Sequence, residues 1–172
     1  MRRPRDNEYA EFYRGYVGLV PEDDILTVLS HQPEEVRALA SRVPLDRESF
    51  RYGAGKWSIR EVIGHVTDAE RVFGYRAFCI SRGDQVSLPG FDENEYVAAS
   101  GYDRRPLGEL VGVFAALRAA NLAEFRAIAS DVWDRVGTAN RTPVSVCALA
   151  YILAGHVRHH MGILTNCYEV PR

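Results

Sequence analysis

The sequence predicts an all-α fold, a bundle of four long helices. Four stretches repeat apolar residues at helical spacing, and each of them begins with a recognisable helix-start signal. Convincing strand patterns are missing from the 172 residues. Because amphipathic helices bury their apolar faces against one another, we expect one four-helix-bundle domain over residues 1–172.

The first predicted helix follows an aromatic segment. Residues 9–20 carry aromatic side chains at helical spacing, and we expect them to pack on the outside of the bundle. The helix itself covers about residues 22–42. Pro33 inside it removes a backbone N–H, so the pattern predicts a short piece that ends near His31 and a second piece that begins at Pro33.

The second predicted helix has the clearest start in the chain. Ser58 and Glu61 form a capping box, in which each side chain satisfies a backbone N–H of the first turn. The helix should run over residues 58–82 and stop at Gly83. Residues 84–106 then form a connection rich in turn residues, with at most a short helix at 93–99.

The third predicted helix begins at Pro106 and carries one apolar stripe down its length. Asn121 interrupts that stripe. A buried amide needs a hydrogen-bond partner, and Arg76 on the inward side of the second helix is a candidate. We favour a structural hydrogen bond at Asn121 over a contact to substrate.

The fourth predicted helix follows a loop. Residues 131–141 contain polar residues and Gly137, and they predict a loop with a short extended piece. Thr142 is the predicted N-cap and Pro143 the first helical residue, after which the helix should continue to about Cys167.

Three of the five histidines lie in this fourth helix. At about 100° per residue, His156 and His160 point to its apolar side, whereas His159 lies at the edge of that side. His65 points to the apolar side of the second helix in the same way. Burying three imidazoles without partners is costly, and one divalent metal ion would satisfy all of them. We therefore predict a metal site formed by His65, His156 and His160.

The predicted metal site determines a topology. His65 lies near the start of the second helix and the other two ligands lie near the end of the fourth, so these helices must be antiparallel to bring the ligands together. The connection at 84–106 is long enough to cross the bundle and to make the second and third helices parallel. The result is an up-down-down-up bundle with a long crossover between helices two and three.

Three neutral imidazoles leave coordination positions open, which is typical of a catalytic metal site. A metal there could activate water for hydrolysis or bind a thiolate for transfer to an electrophile. Asp68 and Glu61 are the carboxylates in reach. For Asp68 we weigh a role as catalytic base against a hydrogen bond to a ligand imidazole; for Glu61 capping is the better explanation.

Composition excludes several classes of function. The net charge of −2 provides no basic field for nucleic acid. No apolar run is long enough for a membrane span, and the N-terminus lacks the apolar core of a signal peptide, so we expect a cytoplasmic location. Three widely spaced cysteines predict neither a disulfide framework nor a thiolate zinc site.

Four motifs, in this order and spacing, resemble those of the DinB/YfiT-like superfamily. They are Gly-Lys-Trp-Ser at 55–58, Gly-His-Val-Thr-Asp-Ala-Glu at 64–70, Leu-Pro-Gly-Phe-Asp-Glu-Asn at 88–94 and Gly-His-Val-Arg-His-His at 155–160. The match covers nearly the whole chain.

The resemblance implies a four-helix bundle with a divalent metal, often nickel or zinc, on histidines that match His65, His156 and His160. Iron, manganese and cobalt are further candidates for the site. The resemblance also implies a homodimer. It does not imply one reaction, because the superfamily includes hydrolases, thiol-dependent transferases and isomerases.

Two hypotheses about function stay open at this stage. The first is a metal-dependent enzyme, a hydrolase or a thiol-dependent S-transferase, that acts on a small molecule and uses a low-molecular-weight thiol in the second case. The second is a non-catalytic metal-binding or stress-response protein whose metal holds helices together. A free coordination position favours the first hypothesis and a fourth protein ligand favours the second.

The long connection should also contribute to the site. It leaves the second helix far from His65 and returns to the level of His65, so we expect the turn at residues 89–92 to lie over or beside the metal. Phe91 would then supply an apolar wall, or it would simply plug the end of the bundle.

Overall fold

The structure is a computed structural model that describes residues 2–171. The helices and strands are, in chain order, α1 (Arg14–Gly18), α2 (Ile25–Ala40), α3 (Ile59–Ser81), α4 (Glu93–Ser100), α5 (Leu107–Ala127), β1 (Val136–Ala139), β2 (Thr142–Ser145) and α6 (Val146–Asn166). The long helices α2, α3, α5 and α6 form a four-helix bundle, which confirms the predicted fold class. Within residues 2–171, no helix is long and apolar enough to cross a membrane.

The four long helices run up-down-down-up, as predicted. Helices α2 and α3 each pack against both α5 and α6. At the start of α3 and α5, the Glu48 carboxylate accepts hydrogen bonds from Arg60 at 2.6 Å and from the Leu107 N–H at 3.3 Å. At the other end of these helices, Arg82 pairs with Glu124 at 2.8 Å. Helices α3 and α5 are therefore parallel, and residues 83–106 cross the bundle between them.

Helix α2 is continuous through Pro33, so the predicted break near His31 is wrong. Proline has no N–H to donate to the carbonyl four residues earlier, which here belongs to Leu29. The guanidinium of Arg118 donates to that carbonyl at 3.3 Å. A side chain from α5 thus replaces the missing backbone hydrogen bond.

Arg118 belongs to a buried polar cluster in the middle of the bundle. It is fully buried and forms a two-pronged ion pair with Glu70, both distances being 2.8 Å, and it also donates to Gln32 at 2.5 Å. Asn121 donates to the Glu70 carboxylate at 2.8 Å. The partner of Asn121 is therefore Glu70 and not Arg76, and the interaction is structural.

The boundaries of α3 agree with the sequence pattern, whereas α6 begins later than expected. Ser58 caps α3, and the capping box with Glu61 is present. Thr142 is not an N-cap but the first residue of β2. Asn140 and Arg141 have φ angles of 50° and 64°, which is typical of a two-residue hairpin turn. This turn pairs β2 with β1, and α6 begins only after Ser145, whose hydroxyl accepts from the Ala148 N–H.

Candidate metal centre

Three buried imidazoles meet in the bundle between α3 and α6. The Nε2 atom of His156 lies 2.9 Å from that of His65 and 3.1 Å from that of His160. One ring nitrogen from each residue falls within 4.8 Å of the other two. The three side chains are those predicted as metal ligands, and each residue is at most 7% exposed.

The nitrogen separations suit a shared ion. Two nitrogens at ~2.1 Å from one metal, at an angle of roughly 90–110°, lie about 3.0–3.4 Å apart. In addition, the Nδ1 atoms of His65 and His160 are buried without a hydrogen-bond partner. Burying three imidazoles side by side is costly, and an ion shared by their Nε2 atoms would offset part of that cost, while the Nδ1 atoms would stay without a partner.

Burial also keeps the three imidazoles in the form that binds metal. Desolvation lowers the pKa of His65 to about 4. The pKa values of His156 and His160 lie well below the usual value, chiefly because of burial and also because of the neighbouring histidines. At neutral pH all three rings are therefore neutral, with a lone pair free for a metal.

Among residues 2–171, no other histidine, cysteine, aspartate or glutamate joins this group. His159 is partly exposed, and its ring lies against the rings of Tyr16 and His160 at centroid distances of 5.2 and 5.0 Å. His31 is exposed on α2. Both were predicted to lie outside the ligand set.

The two carboxylates singled out in the sequence bond to other groups. Asp68 accepts from the Tyr102 hydroxyl at 2.6 Å and faces Arg71 at 3.6 Å, in an open groove apart from the imidazoles. Burial raises the pKa of Asp68. Glu61 accepts from the Ser58 N–H at 2.8 Å, as expected of a cap. In the described part of the chain, neither carboxylate hydrogen-bonds to an imidazole.

A cavity of about 350 Å³ opens beside the imidazoles, and His65 and His156 form part of its wall. Phe91 lies in the same wall, so the crossover does return to this end of the bundle. The other side chains that shape the cavity include Tyr13, Tyr16, Phe73, Arg76, Glu93, Asn140 and Thr142. A small organic molecule in this space would contact both histidines.

His160 faces a second, smaller cavity of about 220 Å³. Its wall includes Lys56, Trp57 and Asn94. The Trp57 ring also lies against the His65 ring, with the centroids 4.7 Å apart. The three imidazoles are therefore accessible from two sides.

Helix α1 forms part of the larger cavity because of a glycine in α6. A Cβ atom on Gly155 would lie 2.0 Å from the backbone oxygen of Tyr16. Only glycine permits this approach, which brings the Tyr16 ring to 5.4 Å from that of His156. The aromatic segment had been expected on the outside of the bundle, yet Tyr13 and Tyr16 line the cavity.

The crossover is held by the β1–β2 hairpin and by Arg76. Leu88 donates its N–H to Thr138 and accepts from the Asn140 N–H, both at 2.9 Å. Arg76 donates to the Pro89 carbonyl at 2.7 Å. These bonds position Phe91 in the cavity wall. The sequence provided no signal that Arg76 and the hairpin would meet here, because the contacts join distant segments.

Comparison with known proteins identifies a family that matches the sequence and solved structures with a similar fold. The family model of the DinB superfamily matches residues 29–164. YfiT from Bacillus subtilis, described as "a probable metal-dependent hydrolase with an unusual four-helix bundle topology", superposes with a TM-score of 0.76 at 14% identity, over 98% of this chain and 90% of YfiT. A mycothiol-dependent maleylpyruvate isomerase superposes with a TM-score of 0.69 at 15% identity, over 90% of this chain and 66% of the isomerase. No curated protein sequence matches the chain.

Proposed function

We propose that this chain, which belongs to the DinB superfamily, is a metal-dependent enzyme that acts on a small molecule. The observation that carries the proposal is the convergence of three buried, neutral imidazoles beside a cavity of about 350 Å³. His65, His156 and His160 are the proposed metal ligands. The absence of a fourth candidate ligand among residues 2–171 supports an open coordination position, which a catalytic site needs and a structural site lacks.

A set of three imidazoles suits several divalent ions. Zinc and nickel are the proposed occupants, and iron, cobalt or manganese are the alternatives. The ion would act as a Lewis acid and lower the pKa of a water or thiol at its open position.

Two reaction classes fit the surroundings of the site. A hydrolase needs a base, and Glu93 is the carboxylate in the wall of the larger cavity. A thiol-dependent S-transferase needs room for a thiol and an electrophile, and the second cavity at His160 provides a separate space for one of them. We propose that Asp68 positions Tyr102 and is not the catalytic base, because its carboxylate accepts a hydrogen bond from the Tyr102 hydroxyl and lies apart from the imidazoles.

Metal analysis of protein purified without a nickel column tests the ligand set. Replacing any one of His65, His156 or His160 by Ala should lower the metal content sharply, since two imidazoles bind an ion far more weakly than three. His159→Ala is the matched control and should keep the metal, because its ring lies outside the cluster. Unchanged metal content in His156→Ala would refute the assignment.

Cobalt substitution tests whether a coordination position is open. The visible absorption of the Co²⁺-loaded protein should change when azide or a small thiol such as cysteamine is added, because either one enters the open position. A response to the thiol that is stronger than the response to azide favours the S-transferase. A spectrum that changes with neither indicates a closed, structural metal and overturns the enzymatic proposal.

A homodimer and a cytoplasmic location complete the proposal. The dimer rests on the family resemblance, and the location is the expectation already stated for the sequence. Light scattering after size-exclusion chromatography measures the mass directly. A mass of one chain would rule out the dimer without affecting the metal site.

A further inference from the structure

Arg76 is a buried cation in the wall of the larger cavity. The residue is 3% exposed. Its guanidinium donates one hydrogen bond to the Pro89 carbonyl and lies over the Phe73 ring, 5.4 Å from the ring centroid. In the part of the chain that the structure describes, no carboxylate lies within 4.0 Å of it, whereas the other buried arginine, Arg118, has Glu70 as its counter-ion.

A buried positive charge without a counter-ion is costly, and the cost falls when an anion binds beside it. A guanidinium has five N–H donors, of which Pro89 uses one. Its planar fork matches the two oxygens of a carboxylate or a phosphate. We therefore propose that Arg76 is the anchor for an anionic group of the substrate.

The surroundings of Arg76 narrow the class of ligand. Phe73, Phe91 and Tyr13 give the cavity apolar walls, which suit an organic body. Glu93 lies at the exposed part of the same cavity and would repel a second negative charge. The ligand is accordingly a small organic acid with one negative charge, whose carboxylate meets Arg76 while the rest of the molecule faces His65 and His156.

The identification of this acid as the substrate rests on the proposed function, but the anion site does not depend on the metal. The test therefore uses metal-free protein, dialysed against EDTA, and measures binding by isothermal titration calorimetry. Benzoate is the probe, and benzamide is its neutral counterpart of nearly the same shape. A cavity of about 150 Å³ holds benzene in another protein, so both probes fit here.

Wild-type protein should bind benzoate at least about tenfold more tightly than benzamide, since hydrogen bonds to a charged group are stronger than neutral ones. Arg76→Gln should remove this preference. The matched control is Arg82→Gln, which deletes the same charge from the end of the same helix, where Arg82 pairs with Glu124 at the surface. The control should bind benzoate as the wild type does.

Phenyl phosphate distinguishes the two sources of the anionic group. Because of Glu93, the doubly charged phosphate should bind more weakly than benzoate; tighter binding of the phosphate overturns the assignment to a carboxylic acid. Equal binding of benzoate and benzamide to the wild type, or a benzoate preference that survives Arg76→Gln, overturns the anion site itself.

If Arg76→Gln fails to fold, the comparison of benzoate with benzamide in the wild type still tests for an anion site. Arg76→Lys then tests the guanidinium: it retains the charge but should show a reduced preference for benzoate. Failure of this proposal leaves the metal analysis unaffected. Conversely, loss of metal binding in the histidine variants does not predict the outcome of the titration, so the two proposals fail separately.

Discussion

Replacing Gly155 by Ala tests the contact that places α1 beside the imidazoles. The new Cβ atom would lie 2.0 Å from the Tyr16 oxygen and 2.5 Å from its carbonyl carbon, whereas real Cβ atoms essentially never come within 3.0 Å of a heavy atom from another part of the chain. The obstacle is backbone, which cannot rotate away as a side chain could. Helix α1 must therefore move by about 1 Å, the difference between 2.0 and 3.0 Å.

The matched control is Gly162→Ala in the same helix, where nothing lies within 4 Å of the new Cβ atom. Both substitutions gain up to ~1 kcal/mol from helix propensity, but only Gly155→Ala incurs an overpacking cost of about 1–3 kcal/mol. The two variants should thus differ by about 1–3 kcal/mol in the free energy of unfolding. For a chain of this size that corresponds to a difference in Tm of roughly 2–12 °C.

Thermal unfolding followed by circular dichroism measures this difference, and Gly162→Ala should be the more stable protein. Displacement of α1 should also move Tyr16 away from His156, so the benzoate affinity of Gly155→Ala should change while that of Gly162→Ala does not. Equal Tm values for the two variants would refute the close packing of α1 on α6 and, with it, the account of the cavity wall.

Three further predictions concern the imidazoles, the crossover and the buried ion pair. In metal-free protein the free energy of unfolding should fall between about pH 6.5 and pH 5, by about 1.4 kcal/mol per pH unit for each buried imidazole of the cluster. The unfolded chain takes up those protons first, because burial lowers the folded-state pKa of all three rings. Urea unfolding at several pH values measures this slope, and a flat profile would contradict the prediction. Phe91→Ala should change benzoate affinity at unchanged metal content; a fall in Tm alone would mean that Phe91 is only a plug. Arg118→Met should destabilise by about 3–5 kcal/mol, because it leaves the Glu70 charge buried and unpaired. Adding Glu70→Leu should restore only part of the loss, because the Leu29 carbonyl and the Gln32 side-chain oxygen remain without the donor that Arg118 supplied; a double variant no more stable than Arg118→Met would contradict this.

Those features of the fold and site that depend on local sequence were predictable. Helical rotation determines the direction of each side chain, so the histidine directions on α3 and α6 followed from counting residues. The start of α3 followed from Ser58 and Glu61, whose hydrogen bonds lie within one turn. The topology then followed from the requirement that His65 reach the pair on α6.

The features that were predicted wrongly depend on contacts outside the helix concerned. Pro33 does not break α2 because Arg118, from another helix, supplies the missing donor to Leu29. Thr142 does not start α6, because the positive φ angles at Asn140 and Arg141 form a hairpin turn that places Thr142 in strand β2. In each case the residue has the expected local preference, helix breaking for Pro33 and helix capping for Thr142, but a tertiary contact or a backbone conformation overrides it.

The cavity wall was the least predictable part of the site. From the sequence, Arg76 is a candidate partner for Asn121, and its place in the cavity wall becomes evident only when the crossover brings Pro89 and Phe91 beside it. Tyr16 likewise depends on the close approach at Gly155. The positions of these cavity-wall side chains depend on how the helices assemble, so the periodicity of a single segment cannot predict them.

The order of the helices in the bundle also affects how the chain folds. Helices that follow each other, α2 with α3 and α5 with α6, lie diagonally, apart from the parallel pair α3 and α5. No two successive long helices can thus form an antiparallel hairpin and bury their apolar faces early. Contacts such as Gln32 with Ala154 close a loop of more than a hundred residues, and the entropy lost in closing it must be offset before the contact stabilises anything. We therefore expect refolding to be slower than in an up-down-up-down bundle of equal length. During synthesis, the cluster of His65, His156 and His160 can form only after α6 has been made.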